Sequence, residues 1–252
     1  MTATVVIAPT VRATRAELVK LATVPRLWVP PAFALVVGPL VALATLNRSG
    51  GDSTLTLVRM AGTGTQILLP LLALWAAAVG ASEFHSGAIV STLLGVGRRS
   101  RFYAGKLAAV AAVTFVVTVV SGLLAVIVLW ASGAADHSVG ALWRLVAGAG
   151  VVAATSLAAT AVGVATRGPL YAMAVTAVAV FGPWLAGGLL GSLRPWIEGS
   201  SPNILIGQLI ANSNLSTTQL SPAGLGGAIV GFVIGAAVAV SVCWVAFYRS
   251  DI

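Results

Sequence analysis

The sequence predicts an all-α integral membrane protein with six transmembrane helices. Of its 252 residues, 58% are hydrophobic and only 8% are charged, whereas an ordinary soluble domain is about 25% charged. The apolar residues form six long runs, and all twenty Lys, Arg, Asp and Glu residues lie between these runs or at their edges. Because a charge at the centre of a bilayer costs about 2.5 to 3.5 kcal/mol, this distribution indicates six spans in lipid.

The six spans are expected near residues 27–46, 65–82, 107–131, 145–166, 169–191 and 226–246. Each run approaches the roughly 20 residues that a helix needs to cross the hydrocarbon core. In lipid the backbone must satisfy its own hydrogen bonds, which favours helices here because strand spans would be shorter and alternating. The chain thus divides into an N-terminal cytoplasmic or interfacial helix, residues 1–26, and a six-helix transmembrane domain, residues 27–252.

The segment before the first span has the periodicity of an amphipathic helix. We expect Val11, Leu18, Leu21 and Ala22 on an apolar side of this helix. The opposite, charged side is expected to carry Arg12, Glu17 and Lys20. Such a helix lies in the membrane interface, either as an anchor or as an elbow that joins the bundle to a cytoplasmic partner. Pro25 should end it, and Pro30 and Pro31 suit the first turn of the next helix.

The distribution of Lys and Arg predicts the orientation. With the N-terminus inside, the outer loops hold only Arg48, Arg59, Arg144 and Arg194, and the other ten of the fourteen basic residues are cytoplasmic. The positive-inside rule therefore predicts a multi-pass protein of the inner (cytoplasmic) membrane with both termini cytoplasmic. The net charge of +8 is dispersed over several loops, which argues against nucleic-acid binding and favours contact with anionic membrane lipid.

The connection between the second and third spans has the most distinctive pattern. It reads EFHSGAIVSTLLGVGRRSRFYAGK over residues 83–106, an apolar stretch at 88–94 followed by the basic residues Arg98, Arg99 and Arg101. Gly95 and Gly97 are expected to break the helix between these two parts. The pattern predicts a short helix along the membrane surface, serving either as an interfacial anchor or as a contact for a partner.

These features together resemble a bacterial permease of the ABC type-2 exporter family. The resemblance rests on the amphipathic helix around Arg15, the six spans, and a connection that starts with Glu83 and Gly87, passes 91–94 and Arg98–Arg99, and closes at 104–106. It implies a coupling helix that sits in a cleft of a separate cytosolic ATPase subunit, and a dimer with a second or similar permease. The implied ATPase-coupling residues are Glu83, Gly87, Ile89, Val90, Leu93, Leu94, Arg98 and Arg99.

The energy source is expected to lie on another chain. The sequence has no Gly-x-x-x-x-Gly-Lys-Ser/Thr phosphate loop, so we expect no enzyme, cofactor or metal site here, with ATP and Mg²⁺ bound by the partner ATPase. The six predicted spans contain no internal Lys, Arg, Asp, Glu or His, although ion-coupled transporters usually place such groups at membrane depth. The alternative is a non-transporting immunity or assembly protein that recruits a cytoplasmic partner.

Small, hydroxyl-bearing or aromatic residues are expected to line the substrate pathway, which suggests a hydrophobic or amphipathic cargo such as a drug, an antibiotic or a lipid-like molecule. The candidates are Trp75, Thr155, Ser156, Thr160 and Trp184. Gly227, Gly231 and Gly235 recur at every fourth residue, a spacing that lets helices approach closely. The long outer connection, 192–225, is either a solvent-facing loop or a segment that dips back as short helices, and the resemblance implies an extracellular gate there.

Overall fold

The computed structural model describes residues 9–48, 57–96, 98–133, 142–185, 189, 191–210 and 221–249. These residues form α-helices and one short 3₁₀ helix, with no strand among them, so the predicted all-α class is confirmed. The α-helices are α1 (Pro9–Thr23), α2 (Pro25–Arg48), α3 (Leu57–His85), α4 (Ile89–Val96), α5 (Arg99–Ala131), α6 (Leu142–Thr166), α7 (Pro169–Leu185), α8 (Arg194–Gly199), α9 (Pro202–Leu209) and α10 (Gly224–Arg249).

Five of these helices are long and apolar enough to cross a membrane: α2, α3, α5, α6 and α10. Each contains the core of a predicted span. The predicted fifth span, 169–191, begins where α7 begins, but α7 has only 17 described residues, and residues 186–188 and 190 lie outside the described part. A sixth span therefore stays a prediction.

Helix α3 lies at the centre of the bundle and packs against α2, α5, α6 and α7. Its closest approach is to α6, where Gly80 faces Gly163. A Cβ added to Gly80 would overlap the carbonyl oxygen of Thr160, and one added to Gly163 would overlap that of Ala77. Absence of a side chain at both positions lets the two backbones touch, as in other closely packed membrane helices.

Several helix boundaries differ from the predicted spans. Helix α3 continues through Glu83 and α5 starts before Lys106, so both charged residues are helical. Helix α1 ends before Pro25, as expected, but Pro25 itself starts α2. Pro30 and Pro31 therefore lie inside α2 and not in its first turn, which corrects that expectation.

The connection after α7 contains short helices among its described residues, and α9 is its most buried part. A 3₁₀ turn at Gly191–Leu193 leads into α8 and α9. Helix α9 contacts α3 and α6, its Leu205 and Ile206 are fully buried, and Gln66 Nε2 of α3 donates a hydrogen bond to the carbonyl oxygen of Asn203 at 3.3 Å. The described part of the connection thus follows the short-helix alternative, and residues 211–220 lie outside the described part.

Candidate functional site

One end of the bundle collects segments that are far apart in sequence. Lys20 of α1 donates a hydrogen bond to Glu83 at the end of α3. Arg167, between α6 and α7, lies 5.8 Å from the ring centroid of Phe84. Arg99 Nη1 at the start of α5 donates to the carbonyl oxygen of Tyr248 in α10 at 3.3 Å. We name this the α4 end, because α4 connects α3 to α5 there.

A glycine turn starts α4. Gly87 follows α3 with φ of +71°, a left-handed conformation that glycine adopts at little cost, and its N–H donates to the Phe84 carbonyl oxygen at 3.3 Å. Helix α4 then continues through Gly95 to Val96. Gly95 therefore does not break the helix as expected, since a glycine inside a helix costs only about 1 kcal/mol. Arg98, which precedes α5, is extended with φ of −145° and ψ of 132°, and Gly97, the other predicted helix breaker, lies outside the described part.

The predicted coupling residues within α4 differ in burial. Ile89 is buried and belongs to a cluster with Phe102 and Phe247, so it fastens α4 to the bundle. Val90 and Leu94 are 57% and 80% exposed, which leaves them accessible to a partner. Leu93 lies within α4, but its side chain is outside the described part. The coupling role itself stays a prediction for all of these residues.

Four charged side chains form a cluster that joins α1, α3 and α5. Lys106 Nζ lies 3.1 Å from Glu17 Oε2 and 3.3 Å from Glu83 Oε1, and Lys20 also binds Glu83 Oε1. Lys106 and Glu83 are fully buried and Glu17 is buried. Together, two ammonium and two carboxylate groups have no net charge. Their pairing offsets the free-energy cost of burying these charges. Glu83 thus lies in this charge cluster and not on the exposed surface of α4.

The buried face of α1 differs from the predicted apolar side. Ala13, Glu17 and Leu21 point into the bundle at successive turns, while Val11 and Leu18 are exposed. Glu17 was expected on the polar side with Arg12 and Lys20, away from the apolar surroundings. This expectation is wrong because Lys106 supplies a buried partner charge. Whether α1 lies in a membrane interface stays a prediction.

Sequence reasoning also missed an aromatic cluster at the α4 end. Its rings have centroids 5.1 to 6.2 Å apart and belong to Phe84, Phe102, Tyr103, Trp244, Phe247 and Tyr248. Tyr103 also donates its hydroxyl hydrogen to the Val240 carbonyl oxygen at 2.9 Å. The spacing of Trp244, Phe247 and Tyr248 along one helical face was the available signal. The cluster ties α10 to α3 and α5.

The five predicted pathway residues differ in their burial and their partners, and their role in a pathway stays a prediction. Trp75 is buried and donates its indole N–H to the Leu27 carbonyl oxygen at 2.8 Å. Ser156 and Thr160 are buried without exposure, and Thr160 Oγ1 donates to the Ser156 carbonyl oxygen at 2.8 Å. Trp184 is mostly exposed near the end of α7. Thr155 lines a cavity.

That cavity has a volume of about 350 Å³ and lies among α6, α7, the α8–α9 connection and α10. Gly231 and Gly235 line it. Within this chain the glycine face of α10 therefore makes no close helix contact at Gly235, where an added Cβ would meet nothing within 4 Å. Gly227 is half-buried nearby. Contact of this face with a second copy stays a prediction.

These features define a multi-pass, all-helical membrane protein with a short helix fastened at one end of its bundle. The chain belongs to the ABC-2 transporter family, because the family model described as ABC-2 family transporter protein matches residues 14–183. The resemblance seen in the sequence is thereby confirmed. The match includes the charge cluster and α4 and ends within α7, before α8, α9 and α10. None of the curated proteins compared with the chain matches it.

Proposed function

We propose that this chain is the transmembrane permease subunit of an ATP-driven exporter and that a separate cytosolic ATPase subunit docks on α4. The observation that carries the proposal is the placement of α4, which exposes Val90 and Leu94 while Ile89 holds it to the bundle. Membership of the ABC-2 transporter family supports it. On this proposal the chain is not itself an enzyme, and the partner binds ATP and Mg²⁺.

The contacts around α4 would transmit a movement of the docked ATPase to the other helices of the bundle. A displacement of α4 acts on the aromatic cluster through Ile89. The turn at Gly87 joins α4 directly to the end of α3, where Glu83 is bound to α1 and α5 through Lys20 and Lys106. Buried side chains pack like a solid and transmit strain. A push on α4 therefore moves α1, α3 and α5 together.

The same placement supports the proposed orientation. The end of α10 lies at the α4 end, since Arg99 binds Tyr248, and α1 lies there through Lys20. If a cytosolic ATPase docks on α4, both termini therefore lie on the cytoplasmic side of the inner membrane. Arg98 and Arg99 follow α4 and border the docking surface. Arg98 is exposed and can contact acidic groups of the partner or anionic lipid, while Arg99 binds Tyr248.

We further propose that the exporter is a dimer of this permease or of two similar permeases, and that its cargo is a hydrophobic or amphipathic molecule such as a drug, an antibiotic or a lipid-like compound. The exposed apolar surface of α10 supports a partner there, because only Ala228 and Phe247 of its 26 residues are buried. The predominantly apolar interior supports the type of cargo.

Copurification from the native membrane tests the docking role. Leu94→Glu places a charge on the exposed side of α4, and Leu170→Glu makes the same change at a matched position, since the two leucines are 80% and 76% exposed and Leu170 lies at the start of α7. We expect mass spectrometry to find an ATPase with the wild type and with Leu170→Glu, and to find it depleted with Leu94→Glu at equal yield of folded protein. Ile89 is unsuitable for this test because its substitution disturbs the packing of α4.

Two outcomes would contradict the proposal. One is an ATPase that copurifies equally with the wild type and with a Val90→Glu, Leu94→Glu double variant. The other is uphill transport by the isolated chain in vesicles without nucleotide. Recruitment of a partner without any ATP-dependent transport would instead favour the immunity or assembly alternative.

A further inference from the structure

We infer that the cavity among α6, α7, the α8–α9 connection and α10 is a binding site for a small, neutral amphiphilic molecule, with Thr176 as its hydrogen-bonding group. The idea that this molecule is the exported cargo rests on the proposed function, whereas the binding site itself does not. Half of the residues that line the cavity lie beyond the family match, in α8, the α8–α9 connection, α9 and α10.

The cavity has the size of a small-molecule site. Its volume of about 350 Å³ lies at the lower end of the roughly 300 to 1,000 Å³ that ligand pockets occupy. The space exists because small side chains line it, among them Ala158, Ala179 and Ala236 together with Gly235. Nothing lies within 4 Å of a Cβ built on Gly235, so this wall is free to contact a ligand.

The lining excludes a charged occupant. The described residues around the cavity are apolar except for Thr155, Thr176, Ser200 and Ser201, and none of them carries a charge. A charged group moved there would lose its hydration without gaining a counter-charge, which is costly in a site of low polarity. A neutral molecule with a large apolar part fits this surface.

Thr176 supplies the observation that points to a ligand. Its side chain is 4% exposed and lines the cavity, yet its Oγ1 has no hydrogen-bond partner among the described residues. Buried hydroxyl groups are nearly always hydrogen-bonded. On the facing wall, Thr155 Oγ1 already donates to the Val151 carbonyl oxygen at 2.8 Å, so it is available as an acceptor only. An alcohol or carbonyl group of the ligand would satisfy Thr176.

Photolabelling tests the site without requiring any partner. The full chain is placed in lipid nanodiscs with a long-chain alcohol that carries a diazirine, irradiated, and digested for mapping of adducts by mass spectrometry. We expect adducts on peptides of α6, α7 and α10 that face the cavity, and their loss when an excess of unreactive alcohol competes. The carboxylate analogue of the probe is expected to label these positions less, because the lining holds no positive charge.

Two pairs of variants separate the cavity from its surroundings. Gly235→Phe fills the cavity and should remove the competed adducts, whereas Gly226→Phe, also on α10 with nothing within 4 Å of an added Cβ but outside the cavity lining, should retain them. Thr176→Val keeps the shape but removes the hydroxyl, and should weaken alcohol binding about fivefold, the effect of one typical hydrogen bond. Thr118→Val, a buried threonine of α5 that lies outside the lining, should leave binding unchanged.

The outcomes distinguish this inference from the proposed function. Equal labelling of the wild type and Gly235→Phe overturns the inference, even if ATP-driven transport is intact. Absence of competed adducts in the wild type also overturns it. If Gly235→Phe in addition dissociates a dimer in native mass spectrometry, a second copy fills the cavity instead of a ligand. Competed cavity labelling in a chain that shows no ATP-dependent transport keeps the binding site and rejects the exporter.

Discussion

Helices α3 and α10 are both apolar and long enough to span a membrane, yet their surroundings differ. In the most apolar 18 residues of α3, 61% are buried within the chain, whereas in those of α10 only 6% are buried. The less buried helix is the more apolar of the two. An apolar side chain gains little free energy by moving from lipid into a contact between helices, because lipid tails are equally apolar. Hydropathy therefore indicates whether a helix is compatible with the bilayer, whereas contact between helices depends on packing and polar bonds.

The contrast has a structural basis at the level of single residues. Helix α3 is held by the glycine contact between Gly80 and Gly163 and by Glu83 in the charge cluster. Helix α10 packs on α6 and α9 and joins the aromatic cluster near its end, but only Ala228 and Phe247 of its residues are buried. Three pairs of matched substitutions test whether α3 and its neighbours carry most of the stability while α10 carries little. Each is followed by equilibrium unfolding in mixed micelles with tryptophan fluorescence.

The largest effect is expected from the charge cluster. Lys106→Met removes the ammonium group that binds both Glu17 and Glu83 and leaves buried carboxylates with too few partners. We expect a loss of about 3 to 5 kcal/mol in the free energy of unfolding, typical when one partner of a buried pair is removed. Arg249→Met at the exposed end of α10 should change it by less than about 0.5 kcal/mol. Equal losses in the two variants would contradict the comparison.

The next largest loss of stability is expected from truncation of a large buried side chain. Leu72 of α3 is fully buried, so Leu72→Ala creates a cavity and should cost about 2 to 5 kcal/mol. Val238 of α10 is 56% exposed, and Val238→Ala removes contacts that lipid replaces. The unfolding free energy of the second variant should stay within about 0.5 kcal/mol of the wild type. A large loss at Val238 in the isolated chain would show that α10 is packed more firmly than its burial indicates.

Adding one methyl group gives the smallest effect, and the two helices should respond with opposite sign. Gly80→Ala forces a Cβ onto the Thr160 carbonyl oxygen, and we expect a loss of about 1 to 3 kcal/mol from this overpacking. Gly235→Ala meets open space and should leave stability unchanged or raise it by up to about 1 kcal/mol, because alanine favours the helix. Stabilisation by both changes would contradict the close contact of α3 with α6 at Gly80 and Gly163.

Much of the fold was predictable because of a simple rule: lipid excludes charged residues from the middle of a span. Five long helices coincide with runs from which charges are excluded. The rule fails at helix ends, where Glu83 and Lys106 extend the helices and find partners inside the protein. It also cannot tell which apolar face meets protein. The glycine pattern of α10 indicated a close helix contact, but the closest contact is made by Gly80 and Gly163, which belong to different helices and form no local pattern.

The candidate site was predictable only in outline. The resemblance placed a coupling segment at residues 87–94, and the structure has a short helix there. The division between buried Ile89 and exposed Val90 and Leu94 depends on neighbours that are distant in sequence, such as Phe247. Thr176 lay outside every pattern, since a single threonine in an apolar run gives no signal until the wall opposite it is known.

Helix α10 is held unevenly along its length, which has a mechanical consequence. Its 26 residues correspond to a rod about 39 Å long at 1.5 Å per residue. From Val240 to Tyr248 the rod is bound by the Tyr103 hydroxyl and the aromatic cluster, whereas the turns at Gly231 and Gly235 border the hollow. The part of the rod that borders the hollow bends more easily than the bound part, so whatever occupies the hollow sets its stiffness.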